Sequence, residues 1–219
     1  LASSVVYLVN DVADIQSDRQ HPLKRSRPIA SGIVPPRAAL TVAAVLGITS
    51  ISAGFMLGTV FGAIVTGFLA LNLVYSFWLK HVPILDVFSV AAGFVLRVGA
   101  GVSLITVTRF SPWLYVCMTL LALYIGFGKR RAEMVLVAGA ARDTRRVLDG
   151  YTIPFLDQLI VIVSATTIVA YSLYTFSAEN LPDNHAMMLT IPFVFYGLFR
   201  YLSLIHVQNS GGAPEELVF

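Results

Sequence analysis

Charge is scarce in this sequence. Asp, Glu, Lys and Arg make up 12% of its 219 residues, against about 25% in a typical soluble domain. Hydrophobic residues make up 57%, and the mean hydropathy is +0.78. No charged residue stands between Arg37 and Lys80. A membrane-crossing helix needs about 20 apolar residues, so that stretch alone has room for two spans. Strict polar–apolar alternation is also lacking, which excludes a membrane β-barrel. The one cysteine, Cys117, lies in an apolar run and excludes an internal disulfide or a multi-cysteine metal site. No linker, low-complexity segment or inverted repeat is visible, and the last absence argues against a transporter built around a midplane site. An initial methionine, a signal-peptide n-region and an N-terminal capping residue are all missing, and the other end, GGAPEELVF, stops abruptly. The expectation is a fragment of a longer chain.

What is there predicts an all-α, polytopic transmembrane helix bundle, one domain over 1–219. The apolar runs predict a helix end at 1–18 and spans near 38–57, 60–80, 84–105, 112–131, 153–176 and 186–206. Gly54, Gly58 and Gly62 recur every fourth residue, a pattern that lets membrane helices approach closely. Ser111-Pro112 reads as a helix start, a cap residue followed by proline at the first helical position. Twelve of the fifteen basic residues fall in connections 19–37, 80–83 and 129–152, all on one side. Arg109 lies on the other side, and Arg97 and Arg200 lie within spans. The excess of Lys and Arg makes the first side cytoplasmic, in a cell (inner or plasma) membrane. Ten of the twelve acids also lie on or near that side. Topology does not require them, so they need a second explanation.

The densest stretch is YLVNDVADIQSDRQHPLKRSRP, Tyr7 to Pro28. Asp11, Asp14 and Asp18 are spaced three and four apart, on one helical face, with Asn10 within about 100° of them. Like charges on one face repel unless something positive sits among them. Mg²⁺ takes carboxylate oxygens, typically one or two, together with substrate phosphates. The face continues an apolar helix, and ionisable groups at membrane depth mark function. Arg19, His21, Lys24, Arg25 and Arg27 follow at once. Some serve topology, and all are natural phosphate binders. The acids are expected to hold metal, and the metal and bases a diphosphate-bearing substrate.

The string NDVADIQSD matches the NDxxDxxxD motif of the UbiA-like intramembrane prenyltransferase superfamily, and RQHPLKRSRPIASG resembles the HPxKxxRPI-type string that follows it there. The resemblance covers essentially the whole chain, from the second to the eighth helix of a nine-helix fold. It implies that about seven helices are present and that the first and last are absent. It also implies Mg²⁺ on Asn10, Asp11, Asp14 and Asp18, an active site facing the cytoplasm, and catalytic parts for the three aspartates. Aromatic prenyltransferases of the superfamily carry a second Asp-rich motif after the sixth helix. Here that place reads YIGFGKRRAEMVLV, with Lys129, Arg130 and Glu133 but no aspartate pair. Together with LDVFSVAAGFVLRVGAG, RRVLDGYTIPFLDQL and RYLSLIH followed by GGAPEE, this resembles the decaprenyl-phosphate phosphoribosyltransferase branch. That branch implies transfer of 5-phosphoribose from phosphoribosyl pyrophosphate to a polyprenyl (decaprenyl) phosphate, releasing pyrophosphate, for arabinan and cell-wall precursor synthesis. The alternative is a UbiA-type prenyltransferase that moves a polyprenyl group from its diphosphate to an aromatic acceptor. The expected partners are the two substrates and the lipid bilayer, with no nucleic acid. The oligomeric state stays open, a homo-oligomer included.

The remaining residues can be placed on these elements. Asp86 and Arg97 are eleven apart, hence on one helical face with Ser89 and Gly93 between them, and about 16 Å apart along the axis. Arg97 is either an ion pair with an acid on a neighbouring helix or an anion contact. Asp86 is a candidate to stabilise an oxocarbenium-like transition state. Lys80 is either an interfacial snorkelling lysine or a phosphate contact. Lys129 and Glu133 stand at i, i+4. The expected substrate-binding set is Asn10, Lys24, Arg27, Lys80, Arg97, Lys129, Arg130, Glu133 and Tyr151. Arg145, Arg146 and Asp149 are weaker candidates, and His185 and His206 are assigned no role.

Overall fold

A computed structural model describes residues 1–20, 24–105, 111–138, 146–178, 181 and 184–207, with side chains for all of these except 136–138, 146 and 147. The described residues form helices and connecting turns, with no strand among them. The helices are α1 (Ala2–Ala13), α2 (Ile15–Gln20), α3 (Pro36–Leu57), α4 (Thr59–Phe77), α5 (Leu85–Val102), α6 (Pro112–Ala138), α7 (Ile153–Ser177) and α8 (Ile191–His206). Six of them, α3 to α8, are long and apolar enough to cross a membrane, as the apolar runs predict. The protein is a multi-pass membrane protein. Large apolar side chains such as Val45, Ile48, Phe55, Ile162, Val169 and Phe199 point outward, as lipid-facing surfaces require.

Two boundaries differ from the sequence expectation. The helix expected over 1–18 is interrupted at Asp14, whose backbone (φ −98°, ψ 7°) leaves helical geometry before α2 resumes. Such bridge-region torsions are only sparsely allowed. Residues 132–138, expected in a cytoplasmic connection beyond the span at 112–131, are instead the last turns of α6. An apolar count ends at the first cations, but the helix continues because those cations find acids: Arg130 pairs with Glu133 one turn on, at 2.7 Å.

The chain divides into two compact units, Leu1–Ser89 with Leu96–Thr106, and Val90–Val95 with Val107–Phe219. In the first, α1 lies in the α3–α4 hairpin, Val5 and Val9 meeting Ala43, Phe68 and Leu69. The hairpin closes on small residues. A Cβ built on Gly54 would stand 3.2 Å from the Gly62 Cα, and one on Gly62 only 2.8 Å from the Phe55 backbone nitrogen. The expected close packing at the Gly54/Gly62 pair is therefore present. In the second unit, α6, α7 and α8 pack around Phe127, Leu156, Ile160 and Ile205. The Tyr124 hydroxyl donates to the Leu198 carbonyl at 2.8 Å, and the Tyr124 and Tyr201 rings meet edge to face at 5.1 Å. The start of α7 is capped by Thr152, whose hydroxyl accepts from the Phe155 N–H.

Candidate active site

The acids at the end of α1 are gathered with cations. Arg27 Nη1 donates to Asp11 Oδ1 at 2.8 Å and to Asp18 Oδ2 at 2.9 Å. Lys80 Nζ donates to Asp14 Oδ1 at 2.5 Å, and the Asn10 amide donates to the other Asp14 oxygen at 3.0 Å. Local sequence explains how Arg27 gets there. After the short 3₁₀ turn Lys24–Ser26, the Ile29 and Ala30 side chains are buried. The Arg19 guanidinium donates to the Ala30 carbonyl at 2.9 Å. Gly32, at φ 86°, makes the left-handed turn that lets the Val34 N–H return to the Pro28 carbonyl. The loop is pinned just beyond Arg27, which turns the guanidinium back onto the helix it followed. Lys24 lies in the 3₁₀ turn before it, and His21 lies outside the described residues.

Burial pushes the Asp11 carboxyl above its ordinary value. The Arg27 guanidinium opposes that rise, while Asp18 and Asp14 add to it. Asp18 is almost fully buried, its side chain 5% exposed.

Lys80 comes from the turn between α4 and α5. It sits in the 3₁₀ turn Leu79–His81, buried apart from its ion pair. The chain then passes through Ile84 at φ 71°, ψ −50°, where the Leu85 N–H bonds back to the Pro83 carbonyl at 2.8 Å. This is a γ-turn of the strained hand, and a β-branched residue there is an outlier. It sets the start of α5, with Asp86 in the first turn. Asp86 is fully enclosed, and Ser89 and Gly93, on the same face, are buried with it. Arg97, further along α5, is exposed, and its guanidinium carbon lies 5.0 Å over the Phe68 ring. That cation–π contact is an option the sequence reading did not weigh.

In the second unit, Lys129 is exposed on α6 and Arg130 is buried. The Glu133 carboxylate takes Arg130, where sequence spacing had paired it with Lys129. Tyr151 is buried, its ring 6.4 Å from that of Phe155. Arg145 and the Arg146 side chain lie outside the described residues. Sequence reasoning missed a cluster here. Arg131 donates to Asp157 at 2.5 Å and to the Ile205 carbonyl at 2.9 Å, and His206 Nε2 lies 3.2 Å from the same Asp157 oxygen. The signal was available: Asp157 is a single acid inside an apolar helix, and such an acid needs a partner.

The donor set of the first unit suits a hard cation. Two carboxylates, one from α1 and one from α2, already converge on a single positive nitrogen. Among the described residues no three Asp, Glu, His or Cys side chains surround one point as metal ligands. Mg²⁺ does not require that, since it commonly takes one or two carboxylates and completes its shell with phosphates and water.

A family model described as the UbiA prenyltransferase family matches residues 1–210. The chain belongs to that family. It is 34% identical over 218 residues to a protein named decaprenyl-phosphate phosphoribosyltransferase from Mycobacterium tuberculosis (strain ATCC 25618 / H37Rv), covering 99% of this chain and 71% of that one. A protein of the same name from Mycolicibacterium smegmatis is 34% identical over 226 residues, covering 99% and 70%. Among solved structures, a UbiA homolog from Archaeoglobus fulgidus bound to DMAPP and Mg²⁺ superposes with a TM-score of 0.77 at 19% identity, covering 91% of this chain and 71% of that one. The likeness is one of fold, and it agrees with the UbiA-type helix bundle expected from sequence.

Proposed function

We propose that this UbiA-family chain transfers the 5-phosphoribosyl group of phosphoribosyl pyrophosphate to a polyprenyl phosphate, releasing pyrophosphate. The observation that carries the reading is 34% identity, over 99% of the chain, to proteins named decaprenyl-phosphate phosphoribosyltransferase. The residues support it. Three carboxylates, an amide and two cations gather at the end of α1, which suits a metal-bound diphosphate. At 129–133 there is no aspartate pair, and the cations Lys129 and Arg130 suit a further phosphate.

Mg²⁺ is the proposed cofactor, with Asn10, Asp11, Asp14 and Asp18 to hold it. When bound, it would neutralise charge on the diphosphate of the donor and on the pyrophosphate that leaves. The nucleophile is a phosphate oxygen of the lipid. It is already anionic, so no general base is required. It forms a bond to the anomeric carbon of ribose as the bond from that carbon to pyrophosphate breaks. The work of the protein is positioning and charge stabilisation. Lys24, Arg27, Lys80 and Arg97 are assigned to phosphate contacts, as are Lys129 and Arg130, with Glu133 and Tyr151 as donor contacts. Asp86 is assigned to positive charge on the ribose ring, a part that requires substrate entry to uncover it. We place the site on the cytoplasmic side of the cell membrane, in one catalytic domain, and its product in cell-wall precursor synthesis.

The test uses full-length protein in detergent with Mg²⁺, labelled phosphoribosyl pyrophosphate and decaprenyl phosphate. Label appearing in the lipid fraction only when metal is present supports the reading. A folded protein that transfers no label but prenylates an aromatic acceptor from a polyprenyl diphosphate keeps the family and overturns the activity.

A further inference from the structure

We infer that Arg27 and Lys80 are exchangeable counter-ions: they neutralise the acidic face until a divalent cation takes their place, and then move from carboxylate to phosphate oxygens. This rests on the reading above only in taking that face as the metal- and diphosphate-binding site.

Three observations carry it. First, one Arg27 nitrogen serves both Asp11 and Asp18. An arginine–carboxylate pair is at its best as a two-nitrogen fork, a shape that also fits phosphate. Here the guanidinium acts as a point charge between two carboxylates, which is the part a metal ion plays. Second, the charges match. Arg27 and Lys80 together place two positive charges on Asp11, Asp14 and Asp18. One divalent ion carries the same charge, so exchange preserves the balance on the acids and frees two cations for the diphosphate. Third, the heads can turn without refolding the site. The loop is fixed by Ile29, Ala30 and the Arg19 contact, not by Arg27, whose side chain is 39% exposed. Lys80 is a single ammonium on a flexible stem.

The consequence is coupling. Metal alone must release two cations that then have no anionic partner, and diphosphate alone meets cations already engaged. Together each frees the partner of the other, and such coupling is reciprocal, typically about 5- to 150-fold. The experiment uses purified full-length protein in detergent, Mn²⁺ and inorganic pyrophosphate, with no lipid and no sugar donor. Mn²⁺ binding is read by electron paramagnetic resonance. Arg27→Gln is expected to bind Mn²⁺ alone about tenfold more tightly than wild type, a change of about 1.4 kcal/mol, and to bind Mn²⁺ with pyrophosphate more weakly. A merely structural arginine would weaken both, and a simple phosphate ligand would leave Mn²⁺ alone unchanged. Either result overturns the inference. A second readout needs no variant. In wild type, Mg²⁺ alone should raise phenylglyoxal modification of Arg27, mapped by peptide mass, and added pyrophosphate should suppress it again. Reactivity that ignores Mg²⁺ overturns the exchange. Neither readout involves phosphoribosyl transfer, so a failure of the proposed activity and a failure of the exchange are told apart.

Discussion

The ion pair between Lys80 and Asp14 joins residues 66 apart in sequence, and its removal gives a quantitative test of the site. Lys80 Nζ lies 2.5 Å from Asp14 Oδ1, with side-chain exposures of 7% and 20%. Removing one member of a fully buried pair costs about 3–5 kcal/mol, because the other charge is left uncompensated. After Lys80→Met, Asp14 keeps the Asn10 amide at 3.0 Å and some water, so the expected loss is smaller, about 2–3 kcal/mol. Asp14→Asn strands the more deeply buried ammonium and should cost at least as much. The double variant buries an amide beside an apolar chain and strands no charge. Its loss should fall short of the sum of the single losses by about 2 kcal/mol, within the range of contacting residues. The assay is thermal unfolding of the four proteins in one detergent without divalent metal. At about 2–4 °C per kcal/mol for a chain of this size, Lys80→Met should lower Tm by about 5 °C or more. Strictly additive shifts would refute the reasoning, because side chains that do not interact in the folded protein show no coupling.

Two further outcomes follow from the packing. Gly62→Ala should destabilise by about 1–3 kcal/mol, because its Cβ would meet the Phe55 backbone nitrogen at 2.8 Å; Gly67→Ala, with nothing within 4 Å, is the control. Equal melting temperatures for the two variants would rule out the close α3–α4 approach. Asp157→Asn should destabilise by about 1 kcal/mol, lowering Tm by about 2–4 °C, since the carboxylate is 34% exposed. The gap to wild type should narrow in high salt, and a gap insensitive to salt would deny the Arg131–Asp157–His206 cluster its electrostatic character.

The spans were legible because a bilayer imposes a long apolar run on each, a signal that survives in a single sequence. The Gly54/Gly62 contact was legible for the same local reason, spacing on a helix. The break at Asp14 was not. A period of three and four reports which residues share a face, but it does not register one residue leaving helical torsions while both neighbours stay helical. The far end of α6 was misplaced because hydropathy marks where a helix leaves an apolar environment, whereas hydrogen bonding and the Arg130–Glu133 pair decide where it ends.

In the candidate site, the motif gave the inventory of groups but not their pairing. Asp11, Asp14, Asp18 and Arg27 lie within one short stretch, so their common location could be read. That Arg27 would fold back onto two of the acids depends on the turn at Gly32 and on the burial of Ile29 and Ala30. Lys80 was harder still, because a lysine at the end of a span carries the same local signature whether it snorkels to the interface or closes an ion pair. Only contact with α1 distinguishes the two, and that contact is set by α1 lying against α3 and α4 through Val5, Val9 and Phe68. The packing of apolar side chains thus determines which lysine reaches Asp14, and the electrostatics of the acidic face depend on a core that shares none of its chemistry.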